Sequence, residues 1–523
     1  MQRYMLLNPV AILLTAALSI PLCAHARNIT LAESLVSTLQ NQSGVQLAQA
    51  AVWEDKGVLQ QAQGAFDWTP KLGAAVGITR ELGMDITGSK FGLNKTEAVK
   101  TSVGVTKLFR SGIAISPEIS LTRIDRNAFY DPLSHSKISI LVTIPLLKGA
   151  GKISASADEQ AAEKNLRATG KQQVHRISQL LFETVSAYWR VRGSWQSLEV
   201  TESSLERSRQ VKATVEALVR GGQLTPGDHQ RTLAEINLHE ISIDKQRQSF
   251  HGARQILLYA MGSVENDNLR AVTPLPNPSD PRFETGPKTE KLVALALARR
   301  QDLVAAAYLL EANEILAARF RHDLKPQLDL LLGLGYQGIE TNTHAPLGSA
   351  RTLHRDLAGP DYSAILSLDL PLGNNVAKGQ LREQNAKVTM ARARIRDLES
   401  AIRTRVRTVA ERLLSSRRRH RTAERTVALY EQVYRDTWDR MVRGEAEMNE
   451  LINVDDKLTD TLLRRTDAAT DFAIALAELR FVTGTAAARV HGAETDSSVA
   501  FTPDNFMNLP ELFDRLPKVV TEE

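Results

Sequence analysis

Four stretches of the chain alternate apolar and polar residues with the period of a β-strand. After Pro70, apolar residues recur at every second position as Leu72, Ala74, Val76 and Ile78; after Pro326 the same spacing gives Leu328, Leu330, Leu332, Leu334 and Tyr336. Ile138, Ile140, Val142 and Ile144 alternate with Lys137, Ser139, Leu141 and Thr143 ahead of Pro145-Leu146. Tyr362, Ala364, Leu366, Leu368 and Leu370 alternate with Ser363, Ile365, Ser367 and Asp369 ahead of Pro371-Leu372. Successive strand side chains point to opposite faces, so each run predicts a strand with one apolar and one mostly polar face.

Behind each Pro-Leu step the period lengthens. Val174, Ile177, Leu181, Thr184, Tyr188, Val191, Trp195 and Leu198 step by alternating threes and fours. So do Val406, Val409, Leu413, Ser416, His420, Ala423, Val427, Tyr430, Tyr434, Thr437 and Met441. This is coiled-coil spacing, loosened by the interspersed Ser, Thr and His. Each seam lies in a proline-free segment of roughly 70 residues that stops at a glycine, Gly221-Gly222 in the first half and Gly444 in the second. At about 1.5 Å per residue such a helix is on the order of 100 Å long. A shorter helix then returns to a matched signature, Leu257-x-Tyr259-x-x-Gly262 or Leu479-x-Phe481-x-x-Gly484, and both return arms cover 40 residues between their glycines.

The chain therefore repeats one plan of helix, strand, strand, long helix, tight turn, helix. Residues 27–262 carry the first copy and 288–485 the second; a connector rich in Pro, Asn, Asp and Ser occupies 263–287, and 486–523 form a polar tail. The first copy has an addition, a hairpin at about 99–123 turned at Arg110-Ser111-Gly112. Pro117 predicts that its strand lies at an edge or outside any membrane, because proline cannot donate to a ladder.

Arg3, the apolar stretch from Pro9 to Leu22 and the small-x-small step Ala24-His25-Ala26 read as an export signal removed after residue 26. Cys23, the only cysteine, lies inside that signal behind Leu22, where lipidation needs a small residue; the mature chain is expected to carry no lipid anchor, thiol or disulfide. No later stretch reaches about 18 consecutive apolar residues, which leaves membrane crossing to strands. The net charge of +5 comes from 65 basic and 60 acidic residues mixed along the 523, a solvated helical surface and not a nucleic-acid footprint. Arg417-Arg418-Arg419-His420-Arg421 reads as part of that surface or as an inter-subunit face.

Two strands per half make four per chain, too few to close a barrel, and an unpaired edge inside lipid costs several kcal/mol per orphan backbone group. Chains must pool their strands. Two chains give eight strands with a filled interior, whereas three give twelve and room for a pore. Two helix-strand-strand-helix copies, Pro-Leu after the second strand and a glycine at each hairpin tip resemble the TolC family of outer-membrane efflux and secretion proteins, from about Ile29 to Thr485. The resemblance implies a mainly α fold: long antiparallel helical hairpins forming an α-barrel, joined to a twelve-stranded β-barrel shared by a homotrimer in outer-membrane lipid. It implies a passive duct of a tripartite efflux pump or a type I secretion system, docked to a periplasmic adaptor coupled to an inner-membrane transporter.

Carried over by position, the pore gate falls on Asp228 and Glu450, each six residues past a tip glycine, and on Asn453, where the family often has another acid. The adaptor-docking tips fall on Gly221, Gly222, Arg443 and Gly444, with Pro226-Gly227 reshaping the first tip. Six carboxylates in a trimer's narrowest ring would select cations and take up divalent ones. A helix-start acid facing the helix dipole produces the same spacing. No catalytic residue, cofactor or resident metal is expected: His229 and His239 lack ligand spacing to one another, and neither a phosphate loop nor a nucleophile motif occurs. The competing expectation is a periplasmic coiled-coil adaptor or scaffold without a pore, whose strands form a soluble sandwich and which needs no detergent.

Overall fold

The computed structural model describes residues 27–84, 91–126, 132–263, 269–280, 288–341, 353, 358–486, 488–489 and 499–500. The export signal read at 1–26 and most of the polar tail lie outside these residues. The first copy runs β1 (Arg27–Ile29), α1 (Leu31–Asn41), α2 (Ser43–Gly64), β2 (Thr69–Met84), β3 (Phe91–Leu108), β4 (Ala114–Arg126), β5 (Leu133–Pro145), α3 (Lys152–Ala155), α4 (Ala157–Arg220) and α5 (Pro226–Met261). After β6 (Leu269–Ala271), the second runs α6 (Thr289–Arg299), α7 (Gln301–His322), β7 (Gln327–Thr341), β8 (Ala358–Asp369), α8 (Asn375–Val442) and α9 (Met448–Val482). The long helices α4 and α8 contain 64 and 68 residues.

Six strands form one antiparallel sheet in the order β2-β3-β4-β5-β7-β8. Its register holds the alternation of every strand in phase. Leu72, Val103, Ile119, Ile138 and Tyr336 stand opposite one another in a single row across five strands. The adjacent row, on the other face, is Gly73, Ser102, Ser120, Lys137, Gln337 and Gly359. In these rows one face of the sheet is apolar and the other small or polar; further along, Glu97 and Arg123 stand on the first face and Leu141, Leu331 and Ile365 on the second. The apolar face is not covered by the chain itself, since Leu72 is 84 % exposed, Val76 76 %, Tyr362 73 % and Leu366 64 %.

The count of four strands is corrected to six, because the hairpin, expected at an edge or outside the membrane, is the centre of the first copy's sheet. β3 pairs with β2 over its whole length and β4 pairs with β5. Its turn is docked: Arg110 donates from Nε and Nη2 to the Glu159 carboxylate at 2.6 Å, and the Gly151 N–H reaches the Ser111 carbonyl at 2.9 Å. Pro117 is likewise not at an edge. It stands opposite Ile140 of β5, and the β3–β4 ladder skips the positions beside it, passing from Gly104–Glu118 to Lys107–Ile115. The lost N–H is absorbed as one local gap in the ladder. The Ser116 hydroxyl crosses that gap to the Thr106 hydroxyl at 3.2 Å.

The four long helices all stop in the same way. Gly222, Gly262, Gly444 and Gly484 have φ of 74°, 69°, 74° and 68°. In each case the following N–H turns back to a carbonyl five residues earlier: Gln223 to Leu218, Ser263 to Leu258, Glu445 to Arg440 and Thr485 to Arg480, at 2.8–3.0 Å. These are Schellman ends, which need a left-handed residue that glycine adopts without a Cβ penalty.

By their internal contacts the described residues divide into two compact units, one within 27–42, 183–280 and 416–474, the other within 43–182, 288–415 and 475–500. Each unit draws on both sequence copies. In the first, β1 and β6 pair in parallel, so the connector carries a strand. The buried Tyr188 hydroxyl fastens it, donating to the Ile29 carbonyl at 3.0 Å and accepting the Thr273 N–H at 2.9 Å. In the second, Phe182 stacks on Phe481 at 5.4 Å, and the buried Glu478 carboxylate takes hydrogen bonds from Arg405 and Arg412 at 3.0 and 2.8 Å. No helix among the described residues is long and apolar enough to cross a membrane.

Candidate functional site at the hairpin tips

Both tips belong to the first unit and share one apolar cluster. Val211 and Val215 of α4 pack with Met441 of α8 and with Met448 and Leu451 of α9, and Leu218, Leu224 and Trp438 close around them. Gly221, Gly222, Arg443 and Gly444 are exposed at the surface of this cluster. A Cβ at Gly222 or Gly444 would meet nothing within 4 Å, so these glycines serve backbone conformation and not close packing. Arg443 pairs with Glu445 at 2.9 Å, and each raises the other's tendency to stay charged: the guanidinium goes up and the carboxyl goes down.

The matched spacing of Asp228 and Glu450 has a local cause. Pro226 opens α5 and Met448 opens α9, so each acid is the third residue of its helix. Asp228 completes a capping box, its carboxylate accepting the Thr225 N–H at 3.0 Å and the Thr225 hydroxyl at 2.7 Å. Those two hydrogen bonds hold its pKa below the usual aspartate value, with Arg231 at 3.7 Å adding to the effect. Glu450 is exposed and accepts a hydrogen bond from Arg440 at 3.1 Å. Asn453 lies almost one turn further along α9, also exposed. Each predicted gate acid therefore has an arginine partner in its own chain.

A second group of ionisable residues near the tips escaped the sequence reading. Glu235 and His239 of α5 meet Asp456 of α9 beside a small cavity. The signal in the sequence is a Glu-x-x-x-His spacing one helical turn apart, which comparing His239 with His229 does not reveal. The structure instead gives His229 to Glu216, at 3.2 Å.

Residues 292–485, the second copy, match the outer membrane efflux protein family. No match is found among curated proteins. Among solved structures, the outer-membrane channel OprN superposes with a TM-score of 0.63 at 14 % identity, over 87 % of this chain and 90 % of that one. The outer membrane protein VceC from Vibrio cholerae gives 0.61 at 15 % identity over 87 % and 96 %. The Campylobacter jejuni CmeC outer membrane channel gives 0.61 at 10 % identity over 87 % and 85 %. At these identities the likeness is one of fold. It covers 87 % of the chain and so extends into the first copy, which lies outside the residues matched by the family.

Proposed function

We propose that this protein is the outer-membrane channel of a tripartite efflux pump or a type I secretion system, a passive homotrimeric duct. The observation that carries this reading is the sheet: six strands in phase with one largely apolar, exposed face and one mostly small or polar face. A sheet in a soluble sandwich buries its apolar face against a second layer. This one leaves residues such as Leu72 and Leu366 open, which suits hydrocarbon and argues against the adaptor or scaffold alternative. The run from Pro70 to Ile78 is close to the roughly 9–11 residues a tilted strand needs to cross the membrane.

Membrane embedding forces assembly. The edge strands β2 and β8 leave about half of their backbone groups without ladder partners. Each such group in lipid costs several kcal/mol, and six strands are fewer than the roughly eight of the smallest membrane barrels. Closure therefore needs β8 of one copy against β2 of the next. For three copies the six strands of each make eighteen in place of twelve. The helices extend on the periplasmic side, and the exposed tips at Gly221, Gly222, Arg443 and Gly444 dock the periplasmic adaptor that links the channel to its inner-membrane transporter.

Extraction and transport test this reading together. The protein should leave the outer membrane only with detergent, migrate as a heat-dissociable trimer, and support export that Gly444→Trp abolishes without loss of the trimer. A monomer released in soluble form from the periplasm would overturn it.

A further inference from the structure

Glu235 and His239 lie one turn apart on α5, with Glu235 Oε1 3.4 Å from His239 Nε2. Asp456 reaches the same place from α9, so that one donor atom from each of the three residues lies within 4.8 Å of the others. The His239 ring is 6 % exposed and fixed within the packing. A cavity of about 20 Å³ opens here, lined in addition by Thr232, Met448 and Leu451. That is room for one water or one ion.

The charges at this place are left unbalanced. Among the described residues neither the Glu235 nor the Asp456 carboxylate is ion-paired to a lysine or an arginine. The nearby Arg207 is committed to Asp455 at 2.6 Å. Two carboxylates thus face a single imidazole on the edge of an ion-sized space.

We propose that Glu235, His239 and Asp456 bind one divalent cation of the borderline class represented by zinc. One imidazole nitrogen and two carboxylate oxygens suit such an ion, and no thiolate is present to draw a softer one. Adjacent ligands of tetrahedral zinc, at bond lengths of about 2.0 Å, stand about 3.3 Å apart. The Glu235–His239 pair already has that separation, and the exposed Asp456 side chain is free to swing onto the third position. A water completes the fourth. Because α5 belongs to the first copy and α9 to the second, the ion joins the two hairpins within one unit. The site is separate from the helix-start acids Asp228 and Glu450, and it does not depend on the chain being a duct.

Zinc chloride titrated into the detergent-solubilised, chelator-treated full chain, followed by calorimetry at neutral pH, tests the site. The expected result is one zinc per chain with a micromolar or tighter Kd, and at least a tenfold loss of affinity in His239→Ala, Glu235→Gln and Asp456→Asn. Asp228→Asn with Glu450→Gln should leave stoichiometry and affinity unchanged. Cobalt(II) in place of zinc should give visible absorption bands that Asp456→Asn alters. Asp456 is exposed, so Asp456→Asn stays informative if the buried His239→Ala variant fails to assemble. Less than one zinc bound per chain at about a hundred micromolar, or binding that survives Asp456→Asn unchanged, overturns the proposal.

Discussion

At the scale of single residues, four glycines in one conformation do two different jobs. Gly222 and Gly444 have open space where a Cβ would go, whereas a Cβ at Gly262 would lie 2.7 Å from the Asn41 carbonyl and 2.8 Å from Gln42 Cα. At Gly484 it would lie 3.0–3.1 Å from the backbone of Arg299 and Arg300. Gln42 and Arg300 are the extended residues that divide α1 from α2 and α6 from α7, with φ, ψ of −70°, 120° and −66°, 123°. The repeated Leu-x-aromatic-x-x-Gly signature was legible as a pattern; its cause, a helix end packed against a break between two other helices, lies in tertiary contact and could not be read from the chain. All four alanine variants should lose about 1 kcal/mol from the left-handed conformation. Gly262→Ala should lose clearly more in denaturant titration, because the atoms it meets are backbone and cannot rotate away; equal losses at Gly222 and Gly262 would contradict this account.

Asp228 shows how one spacing carries two meanings. An acid six residues past the tip glycine was legible as a pore residue, and the structure gives it the helix-start position with a capping box. Its pKa is depressed in the folded chain by hydrogen bonds from Thr225, so its contribution to the cap is present above the unfolded aspartate value and is lost as pH falls through the lower folded value. The protection factors of the amides at Thr225, Gly227 and Asp228, with the intrinsic pH dependence of exchange divided out, should therefore fall in acid, and Asp228→Asn should remove that fall while lowering protection at neutral pH. If Asp228 and Glu450 also converge in a trimer, Asp228→Asn with Glu450→Gln should abolish cation selectivity in planar bilayers.

At the scale of elements, periodicity located the long helices and the four strands it flagged, because alternation and heptad spacing are local properties of the chain. Pro117 alone points to an edge or to a position outside the membrane for its strand. What decided its position was the in-phase row from Leu72 through Val103 and Ile119 to Ile138, a property of register between strands that no single segment contains. The gap at Pro117 then costs one ladder bond, on the order of 1 kcal/mol, against a full strand pairing on either side. Cysteines at Val103 and Ser102 should separate the two faces. In liposomes, a spin label at Val103 should be relaxed by oxygen dissolved in lipid, and one at Ser102 by a water-soluble nickel chelate. Both labels responding only to the chelate would put the hairpin outside the bilayer.

At the scale of the whole molecule, the strand count sets the size of the barrel. Strands spaced about 4.8 Å apart and tilted by about 40° close at a backbone diameter of roughly 24 Å for twelve and 36 Å for eighteen. A trimer built from this sheet should therefore show the wider ring in an electron cryomicroscopy map of the nanodisc-embedded channel. A deletion variant provides the internal comparison. β2 and β5 run in opposite directions with β3 and β4 between them, and all four strands carry most of their apolar residues on one face. Replacing residues 91–126 by a tight turn would let β2 pair directly with β5 without reversing either the strand direction or the face. The variant should still assemble, now with the four strands per chain that the alternating runs alone describe, and its ring should shrink to the narrower diameter. A full-length trimer whose ring already measures about 24 Å would mean that β3 and β4 leave the sheet on assembly, and the eighteen-strand closure would be wrong.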